Sequence, residues 1–70
     1  MKTAEIVAKN IRKYREKNNL SIAEFSKLCN VSARQLAAIE NQTSNARLDT
    51  IDKISAAMGI PSGYLAMFEI

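Results

Sequence analysis

Apolar residues return with a helical period from the start of the chain. Val7, Ile11 and Tyr14 stand at i, i+4 and i+7, while Lys9, Arg12, Lys13 and Lys17 fall mostly elsewhere around the turn. That spacing predicts an amphipathic helix over about residues 3–18, one stripe of it buried. Asn18-Asn19 reads as a break, and Ser21 then stands three positions before Glu24. This is a capping box, in which each side chain satisfies the other residue's free amide at a helix start. A short second helix follows over about 21–29. It buries Phe25 and Cys29 and closes at Asn30, which tolerates the left-handed backbone that often ends a helix. Val31 re-enters the core.

Ser32 and Gln35 repeat the capping-box spacing and open a third helix over about 32–41, with Leu36 and Ile39 turned inward. Gln42 to Ala46 is small and polar, as a surface loop should be. Leu48, Ile51, Ile54 and Met58 then resume helical spacing, and Gly59 terminates that fourth helix. Pro61 and Ser62 start a last short helix with Leu65 inward and Phe68 either inward or among the apolar surplus. No strand-like alternation competes, so the pattern predicts an all-α fold of five helices.

Composition narrows what such a bundle does. Seventy residues, 47% of them hydrophobic and 24% charged, fit one soluble globular domain over 1–70 and exclude the disordered class. The lone Cys29 and the absence of histidine exclude an internal disulfide and structural zinc, and nothing calls for a cofactor. Ile6-Val7-Ala8 between charged residues is too short for an export signal, and no uncharged run approaches the roughly 20 residues of a membrane span. A cytoplasmic protein without membrane contact is expected. With no histidine, no phosphate-cradling glycine loop and only scattered carboxylates, an acid, base and nucleophile set is missing, which argues against an enzyme. The net charge is +3, and it is uneven: the first 34 residues carry eight basic and three acidic side chains, the remainder two and four. One half suits a polyanion.

The stretch from Ser21 to Asn41 resembles the helix-turn-helix of the phage-repressor and Cro (Xre-type) family, and the likeness extends over about Ile11 to Leu65. It is carried by Arg15, Leu20-Ser21, Phe25, Asn30-Val31-Ser32, Leu36, Ile39-Glu40, Leu48, Ile51, Ile54, Met58-Gly59-Ile60 and Leu65. The resemblance implies a compact five-helix, lambda-repressor-like DNA-binding domain whose third helix enters the major groove of double-stranded DNA, usually as a homodimer on a near-palindromic site. It also implies an ion pair between Arg15 and Glu40 that ties the first helix to the reading helix. Departures fall on the binding side. Ile22 stands where the family usually has a phosphate-touching glutamine, Ser26 replaces an alanine at the helix crossing, Asn41-Gln42 replace a basic residue and glycine, and Ala46 replaces a proline.

On the third helix Arg34, Ala38 and Asn41 share a face distinct from Leu36 and Ile39. Arg34 suits guanine O6 and N7, Gln35 suits adenine, and the alanines at 33, 37 and 38 offer methyl contacts to thymine. Base contact is therefore expected from Ala33, Arg34, Gln35 and Ala38. Backbone contact is expected from Ser21 and Ser32 at helix starts and from Asn41, Thr43, Ser44, Asn45 and Arg47 around the following loop. The apolar surplus after Gly59 makes Tyr64, Met67, Phe68 and Ile70 the expected dimer interface. The leading function is a sequence-specific transcriptional regulator, a dimeric repressor. The alternative is a helical protein-interaction module, such as an adaptor or a toxin-binding antitoxin, favoured by Ile22, the alanine-rich third helix and the apolar tail.

Overall fold

The computed structural model of the chain describes residues 3–43 and 46–67, apart from the side chains of Ser62, Gly63 and Met67. Among them are five helices and no strand: α1 Thr3–Lys17, α2 Ile22–Cys29, α3 Ala33–Glu40, α4 Leu48–Met58 and α5 Ser62–Met67. The all-α expectation holds. α1 packs on α3 and α5, α4 packs on α5 and α2, and α2 packs on α3.

Each turn is built the same way. The amides of Leu20, Val31, Thr43 and Ile60 donate back to the carbonyls of Arg15, Ser26, Ala38 and Ser55, each five residues earlier. The residue just before each of these donors, Asn19, Asn30, Gln42 or Gly59, has a left-handed backbone, with φ between 54° and 73°. This pattern satisfies carbonyls that the last helical turn leaves unpaired. Leu20, Val31 and Ile60 complete it by packing on the core. Only Gly59 takes the left-handed angle without a side-chain penalty; asparagine tolerates it, and Gln42 does so least well.

The core joins Val7 and Ile11 of α1, Phe25 and Cys29 of α2, Leu36 and Ile39 of α3, Ile54 and Met58 of α4, and Leu65 of α5. Tyr14 is half-buried and tilts onto Phe25 with ring centroids 5.4 Å apart. One expectation from periodicity needs correcting. Leu48 is 81% exposed, although it begins the apolar spacing of α4. The buried arc runs through Thr50, Ile54, Ser55 and Met58, and at 100° per residue Leu48 lies about a quarter-turn from its centre. Ser55 is fully buried and its hydroxyl has no hydrogen-bond partner.

Cys29 is 2% exposed, and burial pushes its thiol from 9.0 up to about 11. A pKa raised by folding means that the associated stability is complete below pH 9.0 and is lost as pH climbs toward about 11. The urea midpoint of the native chain should therefore fall over that window relative to Cys29→Ala, the gap closing by roughly 2 kcal/mol. Parallel curves for the two proteins would show that the thiol is already solvated.

Candidate nucleic-acid interface

The exposed side of α2 and α3 is set by their caps. Ser21 Oγ accepts the Glu24 amide at 3.0 Å, and Glu24 Oε1 accepts the Ser21 amide at 2.9 Å, so the first capping box is complete. Hydrogen bonding to the carboxylate, from the Ser21 amide first and the Ser21 side chain second, holds the Glu24 carboxyl below its ordinary pKa. The start of α2 thus already carries an anion of its own. At α3 only half of the second box forms. Ser32 Oγ accepts the Gln35 amide at 3.0 Å, but the Gln35 side chain turns away and donates from Nε2 to Thr50 Oγ1 at 3.2 Å. The spacing suggested reciprocity; the half-buried position of Gln35 against α4 draws its amide inward instead.

This difference distinguishes the two helix starts. No acidic residue occupies the first turn of α3, and the amides of Ala33 and Arg34 precede the helical ladder. Partial positive charge there is uncompensated by any carboxylate on the same turn, which favours a phosphate oxygen at α3 over α2. Arg34 and Ala33 are exposed at that start, Ala38 is half-buried one turn later, and Asn41 is exposed at the far end. The guanidinium of Arg34 is exposed and can reach outward, while Gln35 keeps its carbonyl oxygen and one of its two amide hydrogens beside the Thr50 contact.

The following turn is partly engaged by the fold. Thr43 donates both its amide, at 2.9 Å, and its hydroxyl, at 3.2 Å, to the Ala38 carbonyl. Its donors close α3 and leave oxygen lone pairs outward, which suit a phosphate poorly. Arg47 is exposed, and its backbone caps α4 without a side-chain hydrogen bond. Ser44 and Asn45 lie outside the described residues, as do Phe68, Ile70 and the Met67 side chain; Tyr64 on α5 is 52% exposed.

Behind α3, Arg15 grips Glu40 with two hydrogen bonds, Nε to Oε2 at 2.9 Å and Nη2 to Oε1 at 3.1 Å, and its Nη1 donates to the Leu20 carbonyl at 3.1 Å. Bonding to Glu40 raises the Arg15 pKa further above its ordinary value. Arg12 adds a second cation at 3.5 Å from Glu40. The pair fixes the end of α3 to α1, and a bidentate geometry fixes angle as well as distance. Arg12 was missed in the sequence, although its i, i+3 relation to Arg15 places both on one face. Asn10 was also missed. It is fully buried, and its Nδ2 donates to the Leu65 carbonyl at 3.0 Å, joining α1 to α5. Its place three residues after Val7, inside the apolar stripe, was the available signal.

Among the described residues no cluster of histidine, cysteine and carboxylate side chains could hold a metal, and no helix is long and apolar enough to cross a membrane. A sequence model described as helix-turn-helix matches residues 11–65. Among solved structures, the chain is similar to a hypothetical transcription factor, NHTF, from Neisseria, with a TM-score of 0.83 and 26% identity, covering 91% of this chain and 74% of that one. No curated protein matches the chain.

Proposed function

The chain belongs to the helix-turn-helix family, and from that premise we propose that it is a DNA-binding transcriptional regulator, a dimeric cytoplasmic repressor that reads its site with α3. The observation that carries this reading is the exposed, carboxylate-free start of α3 with Arg34 beside it, braced from behind by the Arg15–Glu40 pair. In this arrangement Arg34 donates to a guanine edge, Ala33 and Ala38 lie against thymine methyls, and the Ser32 end and Arg47 hold phosphates. Gln35 supports the helix through Thr50 and contributes to base contact through its carbonyl oxygen and its second N–H. Ser21 and Asn41 are secondary backbone contacts, and Thr43 contributes least. The half-exposed Tyr64 of α5 supplies the two-fold contact, which would set half-sites about 34 Å apart. Nothing in the side-chain inventory supports an enzyme.

The test is selection of bound duplexes from a random pool, followed by affinity measurements over a salt series. A DNA reader gives a steep negative dependence, with a log–log slope of about −0.9 per phosphate contacted. Arg34→Ala should relax preference at one or two guanines by roughly 1–3 kcal/mol while leaving the melting temperature unchanged, because the side chain is exposed. Unaltered preference would remove Arg34 from the reading role. Salt-insensitive binding, or none, would favour the protein-interaction reading, which has its own support in the exposed Leu28 and Leu48, at 62% and 81%.

A further inference from the structure

Thr50 is a buried polar residue on the core-facing arc of α4, one turn before Ile54. A buried hydroxyl calls for a hydrogen-bond partner, and here the partner comes from the candidate reading helix. Gln35 Nε2 donates to Thr50 Oγ1 at 3.2 Å, while the Gln35 backbone amide donates to Ser32 Oγ at 3.0 Å. Gln35 is thus held at both ends. α3 packs on α1 and α2, and this hydrogen bond adds a tie to α4. An unrestrained glutamine amide swings about its last torsion and shows either its oxygen or its amino group. With one N–H engaged by Thr50 the swing is arrested, and Oε1 with the remaining N–H is what Gln35 presents.

We propose that Thr50 is a positioning residue that sets the base preference of Gln35, an inference that rests on α3 reading DNA. One acceptor beside one donor matches the adenine edge, where N6–H donates to Oε1 and N7 accepts from the N–H. Guanine shows two acceptors there, N7 and O6, and suits a glutamine that offers both of its N–H groups. Thr50 keeps one of those N–H groups for itself, which disfavours guanine and leaves adenine. Specificity at this base pair is thereby fixed from α4, by a buried side chain that need not touch DNA.

Two measurements on the full chain test this. In the free protein, side-chain amide order parameters of Gln35 are compared with those of the exposed Gln42, the other glutamine of the chain. Gln35 should be the more ordered. Thr50→Val, which keeps the shape and removes the oxygen, should lower it to the level of Gln42, and Thr50→Ser should preserve the difference. Duplexes are then selected from a random pool, and the preferred duplex is titrated beside versions changed at each base pair. One position should favour adenine about tenfold. That preference should be lost with Gln35→Ala, lost equally with Thr50→Val, kept with Thr50→Ser and lowered no further in the Gln35→Ala, Thr50→Val double variant. Guanine preference elsewhere in the site should persist in Thr50→Val, an outcome that a displaced α3 does not produce. Adenine preference that survives Thr50→Val, guanine at the Gln35 position, or an order parameter indifferent to Thr50→Val would overturn the proposal and leave DNA reading standing. A pool that yields no preferred duplex would remove DNA reading and the proposal with it. An ordered Gln35 amide would then place the failure in DNA binding and not in the tie to Thr50.

Discussion

Glu40→Ala is expected to lower stability by roughly 3–5 kcal/mol, the loss typical when one partner of a buried ion pair is removed. The Glu40 side chain is 2% exposed and that of Arg15 is 18% exposed, with Arg12 also 3.5 Å from Glu40. Taking away the carboxylate strands a guanidinium, a group that stays protonated in any protein environment. A core of this size supplies only about 3–5 kcal/mol in total, so the variant should be largely unfolded at 25 °C and should bind no DNA. Arg15→Met combined with Glu40→Leu replaces the pair with apolar packing and should recover most of the loss. Urea unfolding of the two single variants and the double variant measures this. A Glu40→Ala protein that melts like the native chain but fails to bind DNA would show that Glu40 acts at the interface rather than as a brace.

Asn10→Ala carries the next largest effect. Its amide is fully buried against the last helix, and the hydrogen bond to the Leu65 carbonyl spans 55 residues of sequence. Leaving that carbonyl without its donor costs about 1–3 kcal/mol, and the void left by the side chain adds to it. Hydrogen exchange should show where the loss falls. The α5 amides should exchange faster while those of α2 and α3 keep their protection, because α5 packs on α1 and α4. A uniform rise in exchange would mean that α5 does not open independently.

These two side chains show why the sequence was readable in part. The Arg15–Glu40 relation came from family resemblance, and geometry then supplied its bidentate form. Phe25, Leu36, Ile54 and Leu65 were legible because an apolar residue at helical spacing has nowhere better to go than the interior. Asn10 was not, because a buried amide is stable only where a particular carbonyl waits for it, and that carbonyl is set by chain packing rather than by local pattern. Gln35 shows the same limit at the candidate site. Its spacing from Ser32 satisfied the capping rule, but Thr50, fifteen residues on, offered its side chain another partner. Leu48 failed in the opposite direction: a hydrophobic residue in phase to within a quarter-turn can still lie outside the buried arc.

The junction between Asn10 and Leu65 also orders events at the ribosome. α1 is made well before the carbonyl that accepts from its buried amide, which follows 55 residues after Asn10. Until Leu65 has cleared the exit tunnel, a nascent chain can assemble the α2–α3 bracket yet cannot seal α1 against its final neighbour. Completion of the native state is therefore a late, long-range closure, and an arrested chain lacking α5 should display α1 to chaperones and proteases.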